Sequence, residues 1–516
     1  MIESNGLHIK FTQSVKGSQS ILTKTFFKWR YCGYRSNSFW FLVLFIAAFM
    51  LIGCSDSGTN SSPDETQQVG RIQLNINEAY LGIEDTLAPT VTVLDTEGRP
   101  ITGLQITWSS SNPDVAEVSS NGTITAKSPG QAVIEAKISD LNQSIAVEVF
   151  QGIGISSHKL ASIDRAMMDY MNSHGIPGAS VAVAKDGRLV HVRGYGYADP
   201  ESGRVADPET IYRYGSLSKP ITSIATMMLL QDGLLSLDDK PFEILHYLPA
   251  MPGQSEDPRL TSITLEQLLT QSGGWRGNPR DVDNEVWRAV WQHNVRDAAG
   301  MFRYGRGVPL ISDPGTEYAY TNYATQTIGL LIEHVTGTEY EEWVRANLFE
   351  TIGLSGVKIG KTGLADREPN EARYHRENGE RPDADNGAMD YYGASGSWIG
   401  RATDLLRLLN AVEGKGGLNP LLSSDTINLM TSRPGFYPDQ GSYYAKHWLI
   451  IPDSGGLNWH HTGRAAGAYA VLWRMANGIS FAVLLNQSPS GPTPDLRPAI
   501  NGITDWPDHD LFSEFY

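Results

Sequence analysis

The motif GSLSKP at residues 215–220 runs directly into the apolar stretch ITSIATMMLL at residues 221–230, and the chain after residue 155 is organised around this junction. The apolar stretch has the length and composition of a buried helix, and Pro220 stands where a first helical turn tolerates a missing N–H. Ser216 and Lys219 are therefore predicted at a helix start. Their spacing of three residues places both side chains on one helix face.

This pair is suited to acyl transfer. A serine hydroxyl is a weak nucleophile until a base takes its proton, and a lysine can do so when burial or nearby positive charge lowers its pKa. A helix N-terminus adds N–H groups and the positive end of the dipole where an oxyanion would form. The spacing alone is weak evidence, because Ser156 and Lys159 repeat it without a preceding glycine or a long apolar run directly behind.

The length of the chain indicates how many folded units it forms, and its charge argues against some kinds of partner. A chain of 516 residues is expected to form two or three folded units. The formal net charge is −16, and residues 1–53 are basic, so the remainder is more acidic still. Such acidity argues against a nucleic acid or an anionic membrane surface as partner.

The N-terminal region has the features of an export signal. A basic segment precedes the apolar run at residues 39–52, which is short for a membrane span, and LIGC at residues 51–54 resembles a bacterial lipobox. The resemblance implies a lipoprotein signal peptide at 1–53, lipidation of Cys54, and anchoring at the bacterial cell envelope, facing the periplasm or the outside. The alternative is a plain signal anchor with a free thiol. Residues 54–68 are predicted to be a polar tether.

Residues 69–151 show short alternating stretches separated by turn residues, which predicts a small all-β sandwich. The segments ITWSSSNPDVA at 106–116 and NGTITA at 121–126 resemble the bacterial Ig-like group 2 domain, and this implies a spacer or adhesive module. Trp108 is interpreted as a core residue rather than a ligand platform. The strands are predicted at 71–76, 90–95, 105–109, 115–119, 123–126, 132–138 and 144–150.

A second domain is predicted after a linker at residues 151–157. An amphipathic helix is expected at 160–172, followed by a hairpin of strands 178–184 and 188–194. A helix, a strand pair and then the Ser216 helix indicate an α/β layered domain and not a second sandwich.

Two further motifs lie downstream. In YTN at residues 320–322, Tyr320 and Asn322 are two apart in an extended segment, so both side chains point to one side, where a phenol can relay protons and an amide can hold a lysine or a substrate carbonyl. A packed aromatic is the alternative for Tyr320. The motif HTG at 461–463 precedes a predicted hairpin and offers an imidazole, a hydroxyl and a closely approaching backbone. Adjacent histidines also suggest zinc, but no second ligand cluster has the usual spacing, so no metal is expected.

Taken together, Ser216-x-x-Lys219, Tyr320-x-Asn322 and the HTG motif resemble the three ordered motifs of the serine β-lactamase and penicillin-binding-protein superfamily. The closer likeness is to its branch of class C β-lactamases, serine DD-carboxypeptidases, esterases and D-amino-acid amidases. It implies a multidomain chain, in which an α/β (α+β) hydrolase domain at 156–500, with an antiparallel sheet and an all-helical lobe at about 230–400, follows the sandwich, and a tail at 501–516 ends it.

The resemblance also implies roles for single residues. Ser216 would be acylated, Lys219 and Tyr320 would share the proton transfers, and the N–H groups of Ser216 and Arg464 would form the oxyanion hole. Arg464 stands where relatives usually have a small residue, and Gln271 where they often have histidine. The substrate-binding residues implied are Asn322, His461, Thr462, Gly463 and Arg464.

The sequence therefore predicts a serine hydrolase that forms an acyl-enzyme with an amide, lactam or ester and needs no cofactor. The HTG motif favours carboxylate-bearing peptides, such as peptidoglycan-like peptides, or β-lactams as substrates. The expected contacts outside the substrate are the membrane, through the N-terminal lipid, and no nucleic acid. The alternatives are a carboxylesterase of the same superfamily and a surface-anchored adhesion or binding protein with an inactive hydrolase domain.

Overall fold

A computed structural model describes residues 68–275, 282–283, 295, 297–376, 389–465 and 467–516, without the side chains of Asp390 and Tyr391. Residues Gln67–Tyr516 form one compact unit. The predicted signal peptide, Cys54 and all of the tether except its last residue lie outside the described residues. Within the described ranges, no helix is both long and apolar enough to span a membrane.

The first part of the unit is all β. The sheets β1-β4-β5, β2-β10-β9-β6 and β3-β8-β7 enclose two small apolar cores, and Trp108 packs against both, as its core interpretation expects. Each of the seven predicted strands corresponds to an observed strand. The strands are β1 Val69–Leu74, β2 Glu78–Gly82, β3 Thr86–Leu87, β4 Val91–Asp95, β5 Pro100–Ile101, β6 Thr107–Ser110, β7 Ala116–Val118, β8 Ile124–Ala126, β9 Gly130–Ile138 and β10 Leu141–Phe150.

The second part is built on one nine-stranded antiparallel sheet. Its order is β11-β13-β12-β22-β21-β20-β19-β18, with β14 paired to β13. The prediction of a linker at 151–157 is wrong for residues Gly152–Ile155. They form the edge strand β11 of this sheet, which pairs with β13. The strands are β11 Gly152–Ile155, β12 Gly178–Lys185, β13 Arg188–Asp199, β14 Arg204–Val205, β18 Tyr443–Tyr444, β19 Leu449–Asp453, β20 Gly456–Ala465, β21 Ala468–Arg474 and β22 Ile479–Leu485.

Helices cover both faces of this sheet and form the second lobe. A small sheet of β15 Tyr212–Arg213, β17 Trp398–Gly400 and β16 Lys358–Ile359 joins the two lobes, so the predicted all-helical lobe also contributes two short strands. The helices are α1 Ala161–His174, α2 Ser218–Gln231, α3 Pro241–Ile244, α4 Leu265–Leu269, α5 Ala298–Arg306, α6 Asn322–Thr336, α7 Tyr340–Val344, α8 Met389–Gly396, α9 Ala402–Glu413, α10 Ser424–Thr431 and α11 Arg497–Asn501.

The two parts share a hydrophobic core. Strand β2 faces the sandwich core with Ala79 and Leu81 and the hydrolase core with Tyr80. The ring of Tyr80 stacks on Phe150 at 4.5 Å between centroids, and Phe150 stacks on Tyr195 of β13 at 6.0 Å. The sandwich is therefore packed against the second domain rather than held by a free linker.

A buried ion cluster reinforces this interface. The Arg193 guanidinium is fully buried and donates to both carboxylate oxygens of Asp85 in the sandwich, at 2.9 and 3.0 Å. Its Nε lies 3.1 Å from Asp164 of α1, which also accepts the Tyr195 hydroxyl at 2.8 Å. A buried cation is tolerated only when such partners surround it, so these contacts fix how the two domains pack.

The end of the chain packs on the same domain. Leu511 and Phe512 are buried, and the Leu511 N–H donates to the Leu189 carbonyl at 2.8 Å. The Tyr516 hydroxyl donates to Asp404 of α9 at 2.5 Å. The C-terminal segment therefore belongs to the fold.

Candidate active site

The turn that presents Ser216 is a single 3₁₀ turn, Gly215–Leu217, which runs directly into α2. Two glycines let the β20 backbone approach this turn closely. Gly215 has a left-handed φ of +53°, and a Cβ there would meet the Arg464 N atom at 2.7 Å. A Cβ on Gly463 would lie 1.8 Å from the Tyr214 carbonyl oxygen, so only glycine fits. This packing brings the backbone of Arg464 beside Ser216, as the predicted oxyanion hole requires.

Lys219 lies beneath Ser216 on α2 and is fully buried. Its Nζ is 3.2 Å from Ser216 Oγ and donates to Asn322 Oδ1 at 2.6 Å and to the Ser395 carbonyl at 2.9 Å. It also lies 4.6 Å from the centroid of the Tyr320 ring. Lys219 thus contacts two of the other predicted site residues besides Ser216.

The second Ser-x-x-Lys spacing has no comparable surroundings. Ser156 Oγ hydrogen-bonds to His191 Nδ1 at 2.8 Å, and Lys159 is exposed and forms an ion pair with Asp505 at 2.8 Å. Burial of the lysine therefore distinguishes the two sites, since the spacing does not.

The environment of Lys219 favours its neutral form. Burial lowers the pKa of Lys219 to about 7, and the Asp283 carboxylate acts in the opposite direction. Burial also raises the pKa of Tyr320 far above its usual value, although its hydrogen bond to Ser216 opposes this. At neutral pH Tyr320 is a phenol, and Lys219 is the group that can accept a proton.

Asp283 was not singled out in the sequence, and it caps the start of α6. Its two carboxylate oxygens accept the N–H groups of Asn322 and Tyr323 at 2.8 and 2.9 Å. An anion at a helix N-terminus is stabilised by the N–H groups that have no partner inside the helix. Asp283 therefore holds Asn322 in the position from which it contacts Lys219.

Gln271, which stands where relatives often have histidine, fixes the position of the YTN segment through two hydrogen bonds. Its side-chain oxygen accepts the Thr321 N–H at 2.7 Å, and its carbonyl accepts the Ala319 N–H at 2.6 Å. Gln271 is buried and has a left-handed φ of +57°, a strained conformation for a residue with a side chain. Its amide also approaches Thr325 Oγ1 at 3.4 Å, which His447 Nε2 contacts at 3.2 Å.

The imidazole of His461 is held by two internal hydrogen bonds. Its Nδ1 lies 2.7 Å from the Thr462 carbonyl oxygen, and its Nε2 lies 2.9 Å from the Tyr444 hydroxyl. A carbonyl can only accept, so Nδ1 carries the hydrogen, and a neutral ring then accepts the tyrosine hydroxyl at Nε2. Burial, with a smaller effect of Lys219, lowers the pKa of His461 to about 3, so the ring is neutral.

A cavity of about 390 Å³ opens at Ser216. The Arg464 side chain turns outward, where Nη2 donates to the Pro489 carbonyl at 3.1 Å and the guanidinium lies 5.3 Å from the Tyr469 ring. The departure at position 464 therefore leaves the cavity open. The residues lining the cavity are Ser216, Tyr318, Tyr320, Tyr444, Leu449, His460, His461, Thr462, Arg464 and Tyr469.

The fold thus assembles the three predicted motifs around one cavity. Sequence reasoning did not find Asp283 or Tyr444, because neither stands in a motif, and it gave Gln271 no role. Among the described residues, no group of three or more His, Cys, Asp or Glu side chains could hold a metal ion.

Family models match two parts of this chain. The model described as Beta-lactamase matches residues 163–503, and the model described as Bacterial Ig-like domain matches residues 104–151. The resemblance to the serine β-lactamase and penicillin-binding-protein superfamily and the resemblance to a bacterial Ig-like domain are confirmed. The fold class of an Ig-like sandwich followed by an α/β (α+β) domain is confirmed as well.

Two curated relatives are similar to parts of this chain. Protein flp of Staphylococcus aureus strain N315 is 31% identical over 201 residues, which is 39% of this chain and 38% of that protein. The human mitochondrial serine beta-lactamase-like protein LACTB is 23% identical over 366 residues, which is 58% of this chain and 63% of that protein. The chain spans less than two thirds of the length of each of these relatives.

Solved structures share the fold at low identity. The D-alanine carboxypeptidase AmpC of Burkholderia cenocepacia has a TM-score of 0.55 at 20% identity, covering 67% of this chain and 98% of that one. A penicillin-binding protein homologue of Pyrococcus abyssi has a TM-score of 0.53 at 23% identity, covering 65% and 74%. A D-stereospecific amidohydrolase from Streptomyces has a TM-score of 0.53 at 22% identity, covering 67% and 98%.

Proposed function

The chain belongs to the beta-lactamase family, and we propose that it is an active serine hydrolase that cleaves amide, lactam or ester bonds through an acyl-enzyme on Ser216. The observation that carries this proposal is the buried contact of Lys219 with Ser216 at 3.2 Å, with a lysine pKa of about 7. Perturbed pKa values cluster at functional sites, so a buried lysine with a lowered pKa beside a serine hydroxyl and a cavity favours an active enzyme over an inactive binding protein.

In the proposed first step, neutral Lys219 takes the Ser216 proton as Oγ attacks the substrate carbonyl carbon. The resulting oxyanion is stabilised by the N–H groups of Ser216 and Arg464. The Tyr320 phenol then protonates the leaving oxygen or nitrogen and regains a proton from the Lys219 ammonium, so the proton taken from serine leaves with the product. The Ser216 ester and the first product remain.

In the second step, water attacks the acyl-enzyme while the same groups accept its proton. Asn322 keeps Lys219 oriented through the 2.6 Å hydrogen bond, and Asp283 keeps Asn322 in place. Collapse of the second oxyanion releases the acid and returns the proton to Ser216. No metal or organic cofactor takes part in this scheme.

A substrate panel tests this proposal. The full chain is assayed with a penicillin, a peptide ending in D-Ala-D-Ala and an uncharged aryl ester, beside Ser216→Ala and Ser156→Ala. Turnover of at least one compound is expected, falling at least about 1,000-fold in Ser216→Ala. Ser156→Ala is the matched control for the second Ser-x-x-Lys spacing and keeps its rate. Turnover that persists in Ser216→Ala would refute Ser216 as the nucleophile.

We also propose that the chain is a lipoprotein of the bacterial cell envelope, anchored through Cys54. The support is the LIGC sequence after an apolar run and a basic segment. Expression in a bacterial host is expected to yield a membrane-bound protein whose N-terminal peptide begins at a lipid-modified Cys54. Release of the protein by Cys54→Ser supports the proposal, and unchanged membrane binding contradicts it.

A further inference from the structure

The wall of the Ser216 cavity is aromatic. Tyr318, Tyr320, Tyr444 and Tyr469 line it together with Leu449. Tyr444 packs between two of the others, with ring centroids 5.1 Å from Tyr318 and 6.2 Å from Tyr320. Tyrosine faces offer apolar contact area, so this wall favours a flat or branched apolar group on the substrate.

Few of the described residues at the cavity carry a permanent charge. Among the described lining residues, Arg464 is the one with a permanent charge, and its exposed guanidinium is directed to Pro489 and the Tyr469 ring at the cavity mouth. Lys219 lies below Ser216 with its Nζ directed to Ser216, Asn322 and Ser395. Neither side chain is directed at the inner wall.

His461 stands where many relatives have lysine, and here it has no hydrogen to offer a substrate. Its one N–H is directed to the Thr462 carbonyl, and its other nitrogen accepts the Tyr444 hydroxyl. Among the described residues that line the cavity, a carboxylate placed against this strand would find no cation directed at it and no free ring N–H. Burying an anion without such a partner is strongly unfavourable.

We propose that this site selects acyl substrates without a carboxylate, namely esters or amides with an uncharged aromatic or branched apolar group, and that the His461–Tyr444 pair sets this selectivity. The inference rests on the proposed acyl-enzyme at Ser216 and narrows its substrate class. It differs from the preference for carboxylate-bearing compounds that the HTG motif alone implies.

A matched pair of esters tests the proposal. Phenyl phenylacetate and 3-carboxyphenyl phenylacetate have the same acyl group and differ by one carboxylate, and each rate is corrected for uncatalysed hydrolysis. We expect kcat/KM of the full chain to be at least about tenfold higher for the uncharged ester, since an unpaired buried charge is disfavoured. Equal rates, or preference for the carboxylate ester, would overturn the proposal. A carboxylate preference abolished by Arg464→Gln would identify Arg464 as the anchor instead.

Two variants test the assignment to His461 and Tyr444. His461→Lys supplies a cation at the inner wall and is expected to reduce the discrimination by about tenfold. Tyr444→Phe removes the hydroxyl that Nε2 accepts, so a proton can bind at Nε2 beside a carboxylate and the ring can then donate to it. The discrimination is expected to narrow severalfold in this variant as the pH is lowered from 8 to 5, which keeps the test valid if the lysine variant fails to fold. Unchanged discrimination in the folded variants would refute the role of the pair.

The outcomes separate the two proposals. Labelling of Ser216 by either ester without the expected discrimination overturns the substrate class and leaves the acyl-enzyme proposal standing. If neither ester is hydrolysed and Ser216 is not acylated, the proposed function itself fails, and the inference that rests on it fails with it.

Discussion

Replacing Lys219 by methionine is predicted to abolish turnover and, below pH 7, to stabilise the fold. Burial lowers the pKa of Lys219 from 10.5 to about 7. Each pKa unit corresponds to about 1.4 kcal/mol, so a protonated lysine at this position destabilises the folded state by about 5 kcal/mol. Methionine has a similar length and no charge, and it fits the same buried space.

The net gain is smaller because hydrogen bonds are lost. Without the Lys219 ammonium, Asn322 Oδ1 and the Ser395 carbonyl lose a donor, at about 1–2 kcal/mol each. We expect Lys219→Met to raise the free energy of unfolding by about 1–3 kcal/mol at pH 6. Between pH 7 and 10.5 the unfolded state binds a proton that the folded state has released, so the wild-type protein gains stability and the advantage of the variant disappears.

Urea unfolding at pH 6 and pH 9.5, followed by tryptophan fluorescence, measures this difference. Lys159→Met is the matched control, because that lysine is exposed and its ion pair with Asp505 contributes little. Its stability change is expected to be below about 0.5 kcal/mol at both pH values. If Lys219→Met destabilises the protein equally at both pH values, burial does not disfavour the ammonium, and the assignment of Lys219 as the base is refuted.

Three further predictions concern the groups that position the site and the interface. Asp283→Asn removes an anion that raises the pKa of Lys219, so the acidic limb of the kcat/KM profile should move to lower pH; a shift to higher pH or none would contradict this. Gln271→Ala leaves the Thr321 N–H without its acceptor, so kcat should fall about 10- to 100-fold with little change in KM, whereas a pure KM effect in steady-state assays would be inconsistent with positioning. Asp85→Asn weakens the buried ion cluster between the domains and should lower the free energy of unfolding by about 1–3 kcal/mol in urea; unchanged stability would contradict the role of this cluster at the interface.

The elements that could be predicted from the sequence have local signals. The α2 helix has a continuous apolar run after a proline, and the hairpin of β12 and β13 has alternating residues around Asp186-Gly187. The motifs of Ser216, Tyr320 and His461 contain residue types that the chemistry requires. They could be placed in one site because their order resembles that of a known family.

The missed elements depend on contacts made far away in sequence. Strand β2 has no clean alternation, because Ala79 and Leu81 face one core and Tyr80 faces the other, so both faces are buried. Strand β11 is rich in glycine and resembles a linker, and it becomes a strand only because β13 offers an unpaired edge. Neither segment has a local strand signal, because each strand is defined by contacts with segments distant in the sequence.

The positioning residues were missed for a related reason. Asp283 acts through the N–H groups at the start of α6, and Tyr444 acts through a ring nitrogen of His461. Both are common residue types outside any motif, and their roles appear only when distant segments meet.

The most direct test of the central claim is the mass of the full chain after reaction with an uncharged 4-nitrophenyl phosphonate ester, which phosphonylates an activated serine and releases nitrophenol. We predict one adduct on the peptide that contains Ser216, unchanged labelling in Ser156→Ala, and no adduct in Ser216→Ala. Labelling that survives in Ser216→Ala, or no labelling of the wild-type chain, would contradict the assignment of Ser216 as the nucleophile.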